Sequence, residues 1–97
     1  MRILAEGTTA VGAAATRVIP NGTSAGQLPT GTRVVGLMVR AQDAAGNSAA
    51  IKVGQANPQH YVGSTDTKGF IMPYDGAAGD IMMTGTQNDV LCWTAYG

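Results

Sequence analysis

Cysteine and histidine are nearly absent from this chain, which contains one of each, Cys92 and His60. A single cysteine excludes an intrachain disulfide. One thiol and one imidazole are also too few for a metal site built from cysteine and histidine ligands. The sequence therefore predicts neither a metal nor a cofactor.

Charge is also scarce, because Asp, Glu, Lys and Arg make up only 12% of the 97 residues and the formal net charge is zero. An ordinary soluble domain has about 25% charged residues. The neutral balance gives no basis for binding nucleic acid or an anionic membrane. No apolar run approaches the length of a membrane-spanning helix. Residues 1–5 are too short for the apolar region of a signal peptide, which predicts synthesis in a cytoplasm.

A surface with few charges is typical of a protein whose neighbours cover much of it. The chain also contains 14 glycines, and 97 residues predict a single small domain that buries a modest share of its surface. We therefore expect an oligomer or a component of a larger assembly. The alternative is a rigid neutral β domain that is soluble alone.

The stretch that organises the chain is residues 32–54, which predicts two strands joined by a loop at 42–48. Apolar residues alternate along it and along later segments, and Gly, Pro, Asn and Asp separate these segments every 8–12 residues or so. The pattern predicts an all-β protein, a small antiparallel β-sandwich or jelly-roll-like domain. The predicted core consists of Val35, Leu37, Val39, Ile51, Val53, Phe70, Ile81, Met83, Leu91 and Trp93.

The N-terminal region carries the weakest pattern. We divide the chain into an arm with the first short strands at 1–26, including a strand at 17–19, and a β-sandwich domain at 27–97. Residues 1–15 of this region hold two charges, Arg2 and Glu6, and are otherwise small or apolar. Such a segment can lie along a neighbouring molecule and bury Ile3, Leu4 and Val11, with backbone hydrogen bonds at a sheet edge. An ordinary first strand of the protein's own sheet is the alternative.

Catalytic groups do not form a recognisable set. No nucleophile or orienting carboxylate lies at a spacing from His60 that indicates a catalytic set. Cys92 lies inside an apolar strand pattern and is expected to behave as a small hydrophobic residue. The sequence therefore predicts a protein that is not an enzyme.

Several segments, in order, resemble a family of small virion proteins from tailed bacteriophages. They are Leu28-Pro29, residues 39–42, residues 51–54, Gly69-Phe70, residues 81–85 and residues 89–95. The resemblance covers residues 27–97 and departs from the family pattern at Pro73. It implies a compact β-sandwich located in the virion, without enzymatic activity, that decorates or cements the capsid or belongs to the head or tail apparatus.

Two binding functions follow from the resemblance. In the first, the chain is a structural virion protein, a homotrimer at three-fold positions that contacts the major capsid protein or other virion proteins. In the second, it is a module of a tail or head fibre that binds host surface carbohydrate. Sugar binding requires exposed aromatic rings, and Tyr61, Tyr74 and Tyr96 are the candidates. Trp93 is a further aromatic residue, but its strand face favours core packing.

Overall fold

The computed structural model describes residues 2–42, 46–55 and 60–97. Within these ranges the chain forms eight strands and one short 3-10 turn at Ala78–Asp80. The strands are β1 (Ile3–Ala10), β2 (Thr16–Arg17), β3 (Arg33–Ala41), β4 (Ile51–Gln55), β5 (His60–Val62), β6 (Phe70–Ala77), β7 (Ile81–Thr84) and β8 (Val90–Tyr96). Residues 43–45 of the predicted loop at 42–48, and residues 56–59, lie outside the described residues.

The strands form two antiparallel sheets of four. We call the sheet β1-β8-β3-β6 the front sheet and the sheet β2-β7-β4-β5 the back sheet. β1 pairs with β8, β2 with β7, β3 with β6 and β4 with β5. One long hairpin, whose innermost strand pair is β4–β5, is thus wrapped so that successive strand pairs alternate between the sheets. This nesting is the topology of a jelly roll, and it confirms the predicted all-β sandwich.

The core lies between the two sheets. Of the predicted core residues, all except Val35 and Phe70 are buried, and Phe70 is half-buried against the core. The sequence analysis missed further buried residues, most of them next to turns or in short strands. They are Val11, Val18, Ile19, Val34, Val62, Met72, Ala78 and Ala95.

Val35 was wrongly placed in the core, since 36% of its surface is exposed while Val34 is fully buried. The register between β3 and β6 shifts between Val34 and Gly36, where two residues of β6 lie opposite one residue of β3. Such a bulge changes which side of a strand faces the core. The simple alternation that correctly places Leu37 and Val39 therefore fails before the bulge.

The N-terminal segment is part of the sandwich. β1 pairs with β8 from Ile3 to Ala10, so it is the ordinary first strand of the protein's own front sheet, the alternative to a free arm. Val11 is buried in the core, and its N–H donates to the carbonyl of Asp89 over 2.7 Å. The expectation that Val11 contacts a neighbouring molecule was therefore wrong. The predicted strand at 17–19 is shorter, since only Thr16–Arg17 pairs with β7.

Candidate interaction surface

The outer surface of the front sheet, which we call the front face, is built from four rows of outward side chains. Residues directly opposite each other in antiparallel strands share one face. Since Trp93, Val39 and Leu37 point into the core, the residues that alternate with them point outward. The registers give the rows Ile3–Tyr96–Gly36–Pro73, Glu6–Thr94–Met38–Ile71, Thr8–Cys92–Arg40 and Ala10–Val90. We call the second and third the central rows.

The front face is largely apolar. Ile3 and Ile71 expose 58% and 55% of their surfaces, which is unusual for large aliphatic side chains in strands. Thr94 and Cys92 also point outward, yet only 5% and 7% of their surfaces are exposed. Both line a shallow depression together with their longer row neighbours Met38 and Arg40. The face therefore presents exposed aliphatic side chains on both edge strands, with Glu6 and Arg40 as the charged residues of its central rows.

Two charged side chains lie in the central rows, on opposite sides of β8. Glu6 and Arg40 both line a shallow depression of about 350 Å³ that also involves Met38 and Cys92. Glu6 makes one long contact, as acceptor of a 3.5 Å hydrogen bond from the hydroxyl of Thr94. One terminal nitrogen of Arg40 donates to the carbonyl oxygens of Ala41 and Gln42, at 3.1 and 3.0 Å. These bonds hold the guanidinium near the end of β3.

A charge pair lies at one corner of the front sheet, at the bulge. Nε and Nη2 of Arg33 donate to the two carboxylate oxygens of Asp75, both over 2.9 Å. The hydrogen bonds from Arg33 lower the pKa of Asp75, and those to Asp75 raise the pKa of Arg33. Both side chains are strongly exposed. The pair neutralises itself, so this corner adds no net charge to the front face.

The two edges of the front sheet are poor sites for adding another strand. On the β6 edge, Pro73 has no N–H to donate and the bulge interrupts the backbone ladder. On the β1 edge, residues 22–29 run beside the strand and form the opposite wall of a trough of about 550 Å³. A Cβ added to Gly7 would lie 3.4 Å from the Cα of Gly26. The face is therefore a better site for a partner than either edge.

The structure brings together two of the six residues predicted to make contacts. Ile3 and Tyr96 are directly paired on the front face. Leu4 instead packs against the core from a half-buried position. Sequence reasoning missed Met38 and Ile71, although a signal was present. Both are apolar residues at positions that alternate with core residues.

The other two predicted tyrosines lie elsewhere. Tyr61 is on the back sheet, exposed by 61%, with Nζ of Lys52 5.2 Å from its ring centre. Tyr74 lies at the bulge, and its hydroxyl donates to the carbonyl of Ala77 over 2.8 Å. Partial burial, with the negative charges of Asp80 and Asp75, raises the pKa of Tyr74. The tyrosines therefore do not form a shared aromatic platform.

His60 borders a cleft of about 310 Å³ together with Tyr74 and Asp75. Both neighbours are already engaged, Tyr74 with Ala77 and Asp75 with Arg33. Across residues 2–42, 46–55 and 60–97, no group of three or more His, Cys, Asp or Glu side chains is placed to hold a metal ion. No helix in the same ranges is long and apolar enough to cross a membrane. Comparison with protein-family models, curated proteins and solved structures gave no match for the chain.

Proposed function

We propose that the chain is a structural virion protein of a tailed bacteriophage, which decorates or cements the capsid by binding capsid subunits. The observation that carries the proposal is the front face, a surface with exposed aliphatic side chains and balanced charges on a sandwich with protected sheet edges. The proposed location in the virion rests on the resemblance of residues 27–97 to small virion proteins of tailed bacteriophages. The jelly roll is compatible with it, since viral capsid domains and lectins both use this architecture. Architecture alone does not select between them.

A neutral apolar face suits a cementing role for a physical reason. Burying apolar surface contributes roughly 25 cal/mol per Å², whereas each desolvated charge opposes docking unless it is paired. The exposed aliphatic side chains Ile3 and Ile71 supply the first contribution. Because the central rows contain only two charged residues, Glu6 and Arg40, the cost of desolvating charge stays small. A small protein with this surface adds contacts between capsid subunits without any chemical step.

One observation favours the second candidate function, binding of host carbohydrate. The exposed ring of Tyr61 lies on the back sheet, with Lys52 beside it. An exposed aromatic ring can stack on the apolar side of a sugar, and an ammonium group can donate to its hydroxyls. In this function Tyr61→Ala abolishes glycan binding. In the cementing function the same change leaves the protein's place in the particle unaffected.

The direct test is the amount of this chain in purified phage particles. Quantitative mass spectrometry should find it at a fixed stoichiometric ratio to the major capsid protein. Particles that lack it should release their DNA at a lower temperature than complete particles. A few copies per particle, located at the tail, would favour the carbohydrate function. Absence from the particle would refute both proposals.

A further inference from the structure

We infer that the partner on the front face is a second copy of this chain, packed face to face about a two-fold axis so that Glu6 of each copy meets Arg40 of the other. The inference concerns which protein covers the face. In the free protein this second copy covers the face that capsid subunits contact in the proposed particle, so assembly replaces one partner with the other. The inference is tested on the purified protein alone, whereas the proposed place in the virion is tested on purified particles.

The first step is the offset between the two charges. Glu6 is paired with Thr94 on one side of β8, and Arg40 is paired with Cys92 on the other side. With strands about 4.8 Å apart and about 3.4 Å per residue, the two lie about 10 Å apart across the strands and about 7 Å along them. The only salt bridge among the described residues joins Arg33 to Asp75. Glu6 and Arg40 therefore do not pair within one chain.

The second step is symmetry. A two-fold axis that lies in the interface, perpendicular to the line from Arg40 to Glu6 and through its midpoint, places position 6 of each copy opposite position 40 of the other. The displacement from Arg40 to Glu6 spans two strand spacings across the sheet and one row along the strands. The step from Ile71 to Tyr96 is the same. With the spacings above, the same axis also swaps Ile71 with Tyr96.

The third step is the centre of this interface. In the same ideal spacing, Met38 lies about 2 Å from the axis, so it meets Met38 of the second copy. Across this interface each charged side chain faces one of opposite charge in the other copy, and each apolar side chain faces an apolar one. The strands of the two copies cross at about 70°, closer to orthogonal than to aligned sheet packing.

A second copy fits this face for reasons of charge. Its central rows carry one acid and one base, so a partner must offer one base and one acid at the matching offset. Another copy of the chain meets that requirement by construction. Its net charge of zero also means that two copies approach without long-range repulsion. This arrangement differs from the trimer implied by the family resemblance.

Charge reversal tests the inference by sedimentation equilibrium. The wild-type protein should be a dimer at micromolar concentration. Glu6→Arg and Arg40→Glu should each dimerise at least about tenfold more weakly, because each places like charges opposite each other. An equimolar mixture of the two variants should restore a dimer, since both ion pairs are then complementary. Lys52→Glu, a charge reversal on the back sheet, is the control and should leave the dimer unchanged.

A second test does not depend on how Arg40→Glu folds. Met38→Cys should link two copies by a disulfide under mild oxidation, because the position lies near the axis. Tyr61→Cys, at a more exposed position on the back sheet, should link far less. A wild-type monomer or trimer, a folded pair of charge variants that does not reassociate, or equal linking of the two cysteine variants would each overturn the inference.

Discussion

The outer faces of the two sheets differ in size and in charge. The front sheet has strands of seven to nine residues, whereas those of the back sheet have two to five. Outward positions of the front sheet carry Ile3, Met38 and Ile71, with one acid and one base in the central rows. Those of the back sheet carry Lys52, Tyr61 and Thr84 in one row, and the half-buried Arg17 and Met82 with Gly54 in the next. The back face is therefore smaller than the front face, and its two charged residues are both cationic.

The topology explains part of this difference. β4 and β5 are the innermost strand pair of the nested hairpin and pair over three residues, and β2 pairs with β7 over two. The long pairs β1–β8 and β3–β6 both fall in the front sheet. The area available for docking is consequently concentrated on one side of the molecule.

Removal of residues 1–15 gives the largest expected effect, because it deletes a whole strand of the front sheet. The deletion exposes the β8 edge, removes Val11 from the core and takes Glu6 from the front face. We expect a protein without cooperative unfolding, measured by near-UV circular dichroism during a thermal scan. A truncated protein that folds normally would show that β1 is dispensable and that the free-arm alternative is correct.

Leu91→Ala tests the core shared by the two faces. Leu91 is fully buried on β8, and truncation of such a leucine costs roughly 2–5 kcal/mol in the free energy of unfolding. The matched control is Ile71→Ala on the front face, where a partner-free protein should lose less than about 1 kcal/mol. Urea denaturation at low protein concentration measures both. Equal losses would contradict the assignment of inner and outer sides.

Asp89→Ala tests a connection between the two sheets. The buried carboxylate of Asp89 accepts hydrogen bonds from the N–H groups of Ser48, at 2.9 and 3.0 Å, and Ala49, at 3.2 Å. It thereby ties the segment that enters the back sheet to the start of β8. We expect a loss of roughly 1–3 kcal/mol. Hydrogen exchange should speed up at Ser48 and Ala49 first, whereas Asp80→Ala, an exposed control, should leave these amides unchanged.

Acid should weaken the exposed corner of the front sheet only slightly. Arg33 lowers the pKa of Asp75, so the pair stabilises the fold above the ordinary aspartate pKa of about 3.9 and loses this contribution as the pH falls through the lower folded pKa. The effect is small because both groups are solvated. In Asp75→Asn this part of the acid dependence should disappear. An unchanged dependence below pH 4 would show that the pair does not contribute.

Regular alternation made much of the fold predictable. It correctly placed Leu37 and Val39 in β3, and Leu91 and Trp93 in β8, because each of these segments follows a period of two into the core. The pairing of β1 with β8 was not predictable, since it joins residues at opposite ends of the chain. Val35 failed because the bulge opposite it depends on β6, which lies far away in the sequence.

The front face was predictable only in part. Ile3 and Tyr96 were candidates as exposed apolar and aromatic residues, but nothing in the sequence indicated that they are neighbours. Met38 and Ile71 could have been found by asking which outward strand positions are apolar. Their meeting in one row depends on sheet order, which local patterns do not specify.

The central claim, that the front face and not the back face is covered by protein, is tested most directly by sedimentation velocity of two matched variants. Ile71→Glu and Tyr61→Glu each place a carboxylate at a strongly exposed strand position, one on each face. We predict that Tyr61→Glu sediments as a dimer like the wild-type protein, whereas Ile71→Glu sediments as a folded 9.9 kDa monomer. A dimer of Ile71→Glu together with a monomer of Tyr61→Glu would contradict the account.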